Sequence, residues 1–155
     1  MLGTVMRRLR RNRPAPEPSV YQTPEGRPGD GTGTTRILVV DDDGDLRDAI
    51  AFTLSEAGFA VATAADGPAA LAIIGTARPD LVVLDVMMPG PSGIEVCRQL
   101  REDPGTASLP VILLTARTSP AFRYAGLATG ANRHVLKPFD PADLVTLVRE
   151  LLGED

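Results

Sequence analysis

The sequence predicts an α/β domain of three layers, in which helices cover both faces of a five-stranded parallel sheet. A chain of 155 residues with 43% hydrophobic residues is large enough to form the core of one ordinary domain. From residue 36 onward, short apolar runs alternate five times with segments of helical pattern. The third and fourth runs are apolar throughout, as expected for strands with both faces buried. Right-handed crossovers between five such strands favour the flavodoxin-like (βα)5 fold with strand order 2-1-3-4-5.

The first two strand–helix units have recognisable start and stop signals. Strand one is predicted at Arg36–Val40, and the first helix runs from about Gly44 to Gly58, since glycine commonly ends helices. Strand two is predicted at Phe59–Ala64. A second helix runs from about Asp66 to Ala77, with a proline in its first turn. The positions predicted on one face of the first helix are Leu46, Ala49, Ile50, Thr53, Leu54 and Ala57.

The rest of the chain repeats this alternation. Arg78-Pro79 breaks the second helix, and Ser92 is suited to cap the third. The remaining predicted elements are strand three at Asp80–Leu84, a helix from Ser92 to near Pro104, strand four at Leu109–Leu114, a weaker helix at Ser119–Ala128, strand five at Arg133–Leu136, and a last helix from Asp140 with Leu144, Leu147, Val148, Leu151 and Leu152 facing inward.

Residues 1–35 differ in composition from the rest of the chain. They are rich in proline, glycine and arginine and show neither helical nor alternating periodicity, which predicts a flexible basic arm before a domain at residues 36–155. The arm has a net positive charge, whereas the domain has a net negative charge. An acidic domain is unlike a nucleic-acid-binding protein, so no direct DNA binding is expected. The arginine cluster is interpreted as a solvated tail rather than a lipid or nucleic-acid contact.

The sequence also predicts a cytoplasmic setting. No apolar run is long enough to cross a bilayer, and the basic start leads into prolines rather than into the apolar region of a secretory signal. The single cysteine, Cys97, excludes an internal disulfide and a cysteine-rich zinc site. Cys97 falls on the predicted inner face of the third helix, where core packing is its expected role.

Side chains that can bind a metal ion or a phosphoryl group follow four of the five predicted strands. Asp41–Asp43 follow the first strand, Asp85 the third, Thr115 the fourth and Lys137 the fifth. Because parallel strands end at the same edge of a sheet, these side chains should form one site. Lys137 is the only lysine among 16 basic residues, which favours a specific role for its ammonium group. The alternative is chance in a composition biased toward arginine.

The predicted site suits a metal ion and a phosphoryl group. Asp41, Asp42 and Asp85 would repel one another unless a hard cation such as Mg²⁺ neutralised them. The alternative is that the first aspartates only cap a helix and line a solvated turn. Asp85 beside a cation is a candidate phosphoryl acceptor, with Lys137 and the Thr115 hydroxyl binding the phosphoryl oxygens.

At these residues the chain resembles the receiver domain of bacterial two-component response regulators. The resemblance covers about Arg36–Gly153 and rests on ILVVDDD, DLVVLDVMMPG, VILLTA and HVLKPF in this order. It implies that Asp85 takes a phosphoryl group from a histidine kinase or a histidine phosphotransfer protein, with Mg²⁺ as cofactor. It also implies that Asp42, Asp85 and the Met87 carbonyl bind the metal directly, and that Asp41 acts largely through water.

The resemblance assigns further roles around the phosphoacceptor. Lys137 contacts the phosphoryl group, and the bond from Lys137 to Pro138 is usually cis. Thr115 moves toward the phosphoryl group while the residue at His134 rotates inward. This position is commonly aromatic, so His134 would either add pH sensitivity or merely fill the space of a ring. Met87 and Arg117 lie where the family sets the lifetime of the phosphoryl group.

The expected function is therefore that of a stand-alone response regulator rather than an enzyme. Only three residues follow the last predicted helix, so no output domain is expected after it. The protein would bind a downstream protein through the face formed by residues 119–152. The resemblance also allows a phosphorylation-dependent dimer.

Two other functions are weighed against this one. DDDGDL resembles the start of haloacid-dehalogenase-type phosphatases, with Asp41 as nucleophile and Asp43 as acid/base. However, Asp45 replaces the expected threonine, no acidic pair follows Lys137, and Asp85 would have no role. The other alternative is a receiver fold that serves as an unphosphorylated scaffold.

Overall fold

The computed structural model describes residues 20–23, 34–116 and 129–153, and within these ranges five strands alternate with four helices. The helix predicted at Ser119–Ala128 lies outside the described residues. In chain order the elements are β1 (Arg36–Val40), α1 (Gly44–Glu56), β2 (Ala60–Ala64), α2 (Gly67–Thr76), β3 (Leu81–Asp85), α3 (Gly93–Glu102), β4 (Val111–Ala116), β5 (Arg133–Lys137) and α4 (Pro141–Leu151).

The five strands form one parallel sheet in the predicted order, β2-β1-β3-β4-β5. The register pairs Val40 with Leu84, and Asp85 with Leu114. The ends of β1, β3, β4 and β5 therefore lie side by side at one edge, which confirms the predicted flavodoxin-like arrangement. The observed strand limits differ from the predicted ones by no more than two residues.

The core lies in two layers, one on each face of the sheet. Successive side chains of a strand point to opposite faces, so β1 contributes Leu38 and Val40 to one layer and Ile37 and Val39 to the other. The first layer is covered by α2 and α3, with Cys97 fully buried as predicted. The second is covered by α1 and α4. These buried layers confirm the three-layer architecture.

The helix boundaries follow from capping residues in the sequence. The Asp43 carboxylate accepts hydrogen bonds from the backbone at the start of α1, and Gly58, just after the end of α1, has a left-handed φ of 103°. One side-chain prediction is wrong, because Ala49 is exposed. Of the other predicted positions, Ile50 and Leu54 are fully buried, and Leu46 and Ala57 pack against the same core layer, so most of the predicted face is confirmed. In α4, Val145 is buried although the sequence pattern missed it.

A short segment before β1 also contacts the domain. Val20–Thr23 lies within the range assigned to the arm, and Gln22 forms an isolated antiparallel bridge with Val61 of β2. The division of the chain at residue 35 stays a prediction. Among the described residues, no helix has both the length and the apolar character that spanning a membrane requires.

Arg101 of α3 joins three segments at the edge of the sheet opposite the predicted site. Its guanidinium donates hydrogen bonds to the Leu109 carbonyl at 2.7 Å, the Gly130 carbonyl at 2.6 Å and the Asn132 side chain at 3.0 Å. Asn132 in turn accepts a hydrogen bond from the backbone N–H of Val111. This network holds α3 against the starts of β4 and β5.

We expect Arg101→Gln to lower the free energy of unfolding by about 2 kcal/mol, because partly buried carbonyl groups lose a charged donor. Arg98→Gln is the matched control on the same helix. Arg98 forms an exposed ion pair with Glu102, so its loss should change stability by less than about 0.5 kcal/mol. Urea unfolding of the two variants measures the difference, and equal effects would contradict a structural role for the Arg101 network.

Candidate functional site

The side chain of Lys137 lies between two buried carboxylates at the edge where the strands end. Its Nζ is 3.0 Å from Oδ2 of Asp41 and 3.1 Å from Oδ1 of Asp85. Asp41 is completely buried, and Asp85 is only 3% exposed. Three residues that are far apart in the sequence thus form one charged cluster, as predicted.

Local structure fixes the position of Asp41. Its N–H donates to the Ala64 carbonyl at the end of β2, and its Oδ1 accepts a hydrogen bond from the N–H of Asp43 at 2.9 Å. Arg47 of α1 donates from its guanidinium to the Asp41 carbonyl, also at 2.9 Å. The carboxylate is therefore held by backbone contacts as well as by Lys137. The sequence pattern did not identify the contribution of Arg47.

The carboxylates form a donor set that fits a hard cation. Asp41, Asp42 and Asp85 each offer a carboxylate oxygen, and these oxygens lie within 4.8 Å of one another. Asp41 and Asp85 are buried, whereas Asp42 is exposed and keeps the cluster open to solvent. Closely spaced carboxylate oxygens with access to water suit Mg²⁺, which keeps part of its water shell. The chemistry of these donors therefore supports the predicted metal site.

The electrostatics of the cluster raise the pKa of two of its members. Burial, followed by the nearby Asp41 charge, raises the pKa of Asp85 to about 6, although Lys137 and a backbone hydrogen bond from Met87 oppose this shift. Burial opposes the charge on Lys137, but its hydrogen bonds to Asp41 and Asp85 outweigh that effect and raise its pKa. Lys137 is therefore a permanent cation, whereas Asp85 titrates close to neutral pH.

The other predicted site residues differ in how deeply they are buried. Thr115 is buried at the end of β4, one position beyond the partner of Asp85 in the sheet register. The Met87 side chain is exposed in the loop after β3. His134 is half-buried in β5, and its Nε2 lies 3.0 Å from the Thr129 hydroxyl.

The bond from Lys137 to Pro138 is cis, as the resemblance implied. Arg117 lies outside the described residues.

Gly93 lies against the end of β3, next to Asp85, although glycine has no functional side chain. Its N–H donates to the Val86 carbonyl at 2.9 Å, and a Cβ at this position would clash with the carbonyl of Asp85. Only glycine therefore allows α3 to start this close to the end of β3. The glycine of the MPGPSG turn was the available signal, but the sequence pattern did not show what approaches it.

The arrangement matches a known family. The model of the response regulator receiver domain matches residues 37–149, which is most of the chain. The chain belongs to the response regulator receiver domain family. This confirms the resemblance drawn from the four strand-end motifs. It also favours the receiver interpretation over the haloacid-dehalogenase alternative.

Relatives and solved structures agree with this assignment. MtrA of Mycolicibacterium paratuberculosis, named a DNA-binding response regulator, is 46% identical over 117 residues, covering 76% of this chain and 51% of MtrA. RegX3 of Mycobacterium tuberculosis, named a sensory transduction protein, is 43% identical over 124 residues, covering 78% of this chain and 53% of RegX3. The chemotaxis response regulator CheY4 of Vibrio cholerae has a TM-score of 0.70 at 36% identity, covering 76% of this chain and 98% of CheY4. The chain spans about half the length of the curated relatives it matches.

These relatives correct one expectation. The prediction of no direct DNA binding is wrong, because the chain is 46% identical to a protein that is named a DNA-binding response regulator. That prediction rested on the net negative charge of residues 36–155. The charge of a receiver domain describes only the surface of that domain, so it does not report on DNA binding by a regulator that contains it.

We expect Gly93→Ala to destabilise the domain by at least about 2 kcal/mol, because the added methyl group displaces the backbone of Asp85. Gly75→Ala is the matched control. Gly75 lies within α2 with open space around it, so alanine there should stabilise the helix by about 0.5–1 kcal/mol. Chemical denaturation measures both changes. A Gly93→Ala variant as stable as the wild type would contradict the close approach.

We also expect Mg²⁺ affinity to decrease as the pH falls through about 6, because the Asp85 carboxylate gains a proton that competes with the metal. Above this pH, Asp85 is ionised and the affinity should level off. Isothermal titration calorimetry between pH 5 and pH 8 (roughly one unit below to two units above the Asp85 pKa) measures the effect. Asp85→Asn should bind more weakly and lose this pH dependence, and an unchanged profile in that variant would contradict the assignment.

Proposed function

We propose that this receiver domain accepts a phosphoryl group on Asp85 from a phosphohistidine of a histidine kinase or phosphotransfer protein. The observation that supports the proposal most directly is the position of Lys137 Nζ, within 3.1 Å of both Asp41 and Asp85. The membership of the chain in the receiver family supports it independently. The proposal concerns the receiver domain and applies whether that domain acts alone or within a longer regulator.

In the proposed reaction, an ionised oxygen of Asp85 attacks the phosphorus atom. The bond between phosphorus and the donor imidazole nitrogen breaks, and the electron pair of that bond stays on the nitrogen. The product is an acyl phosphate on Asp85. Since phosphoryl transfer depends mainly on positioning and charge neutralisation, the Lys137 ammonium would stabilise the oxygens of the transferred group. The buried Thr115 hydroxyl at the neighbouring strand end would bind another of these oxygens.

Three carboxylates of the chain would hold the metal. Asp41, Asp42 and Asp85 provide oxygens of the kind that Mg²⁺ prefers, and the Met87 carbonyl follows Asp85 by two residues. When bound, Mg²⁺ would supply positive charge to the phosphoryl oxygens. Asp41 has a second function in this proposal, because it orients Lys137 toward Asp85.

The switch is proposed to connect the phosphoryl group to partner binding. Thr115 would move toward the phosphorylated Asp85, and His134 would rotate into the space that it leaves. His134 lies three residues before Lys137 on the same strand, so a shift of β5 would reach both residues. The predicted output face at residues 119–152 extends beyond the described residues. Stand-alone action and a cytoplasmic location stay predictions from the sequence.

We expect the wild-type protein to gain one phosphoryl group when it is incubated with Mg²⁺ and a small phosphodonor, as measured by intact mass. Asp85→Asn should gain none, because an amide oxygen is a poor nucleophile. Asp80→Asn is the matched control, since Asp80 lies just before the other end of the same strand and should leave phosphorylation unchanged.

The same experiment separates the alternatives. No adduct with any donor would favour a receiver fold that serves as an unphosphorylated scaffold. An adduct that persists in Asp85→Asn would move the chemistry to another aspartate and contradict the proposal. Peptide mapping of the phosphorylated protein would then identify whether Asp41 or Asp42 carries the group.

A further inference from the structure

The outer edge of the sheet is covered by a segment that precedes the domain in the sequence. Val20–Thr23, here called the N-terminal strap, runs antiparallel to β2. The N–H of Gln22 donates to the Val61 carbonyl at 2.9 Å, and the N–H of Val61 donates to the Gln22 carbonyl at 3.0 Å. The strap therefore satisfies both backbone groups that Val61 directs away from the sheet.

Tyr21 anchors the strap in the core. Its side chain is completely buried and belongs to the same apolar layer as Leu38 and Val82. Its hydroxyl donates to the Ala77 carbonyl at the end of α2 at 2.6 Å. The guanidinium carbon of Arg36 lies 5.1 Å from the centre of the ring, within range of a cation–π contact. A solvated tail would not bury an aromatic ring in this way.

The edge strand β2 explains why such a strap is useful. β2 has β1 on one side and no other strand of the five-stranded sheet on its other side. The N–H of Ala60 is used toward β1, where it donates to the Thr35 carbonyl, so the next residue, Val61, faces outward. Exposed edge strands are templates for pairing with other chains, and proteins commonly cover or charge them.

The geometry of the strap also indicates which partner an uncovered edge would accept. Val61 already binds an antiparallel segment through a reciprocal pair of hydrogen bonds. Two copies of β2 related by a two-fold axis would be antiparallel to each other and could form the same pair. Without the strap, the outer edge of β2 in one copy of the chain is therefore complementary to the same edge in a second copy.

We propose that the N-terminal strap keeps this protein from self-association by occupying the β2 edge, with Tyr21 as its anchor. The competing occupant of the edge is β2 of a second copy of the chain. The strap and the second copy use the same Val61 groups, so only one of them can bind at a time. This inference does not depend on phosphorylation of Asp85.

The first test compares two substitutions at one position of the full-length chain. Gln22→Pro removes the N–H that donates to Val61 and disturbs the bridge, whereas Gln22→Ala shortens the same side chain but keeps the donor. We expect hydrogen exchange at the Val61 amide to be at least about tenfold faster in Gln22→Pro than in the wild type, and nearly unchanged in Gln22→Ala. Equal exchange rates in all three proteins would contradict the proposal that the strap occupies the edge of β2 through the hydrogen bonds between Gln22 and Val61.

The second test measures association by analytical ultracentrifugation. Gln22→Pro and Tyr21→Ala should form dimers at concentrations where the wild type and Gln22→Ala do not. Adding Thr63→Lys to Gln22→Pro should restore the monomer, because a lysine on an edge strand opposes pairing. Faster Val61 exchange without dimers, or dimers that persist with Thr63→Lys, would overturn the proposed role of the edge.

The Tyr21→Phe variant distinguishes the contribution of the buried ring from that of the hydroxyl group. The strap should stay bound to β2 more strongly in Tyr21→Phe than in Tyr21→Ala, because the ring remains buried and only the hydrogen bond to Ala77 is lost. Cooperative urea unfolding provides a check that each variant is folded, and it does not depend on the function of Asp85. A variant that unfolds cooperatively but dimerises supports the proposal, whereas Tyr21→Phe and Tyr21→Ala that both remain monomers would contradict the role of Tyr21 as the anchor.

Discussion

The Lys137 ammonium group lies between the buried carboxylates of Asp41 and Asp85, and the rest of the site depends on this arrangement. Buried carboxylates are costly unless a counter-charge and hydrogen bonds compensate them. One lysine provides a single positive charge against two negative ones, and the exposed Asp42 adds a third. The cluster therefore retains net negative charge even with Lys137 in place. This imbalance favours the binding of a cation, and in the proposed function it leaves Lys137 to stabilise the phosphoryl oxygens.

The parallel sheet makes this site predictable from the sequence. Each residue of the cluster follows an apolar run that is long enough to be recognised as a buried strand, and parallel strands bring their ends together. The proximity of Asp41, Asp85 and Lys137 was therefore predictable from the sequence, and the structure shows it. Helix starts were also predictable, because caps such as Ser92 depend on local chemistry that is visible in a few residues.

Features that depend on contacts between distant segments could not be predicted in this way. Tyr21 is separated from β1 by a stretch rich in glycine and proline, and one buried ring produces no periodicity. Gly93 matters because of the backbone that approaches it, and Arg101 because of carbonyls from two other segments. The expectation about DNA failed for a related reason. It used the charge of one domain to predict the interactions of whole regulators.

The position of His134 bears on how charge is distributed when the site works. Burial lowers the pKa of His134 below its ordinary value, and its imidazole is hydrogen-bonded to Thr129. Burial therefore favours the neutral ring, and Lys137, whose Nζ lies within 3.1 Å of both carboxylates, is the residue of β5 that brings positive charge to them. Asp85 differs from His134 in this respect, because burial and the nearby Asp41 charge raise its pKa to about 6. In the proposed switch, His134 would therefore act at neutral pH through its shape and its hydrogen bond to Thr129 rather than through a positive charge.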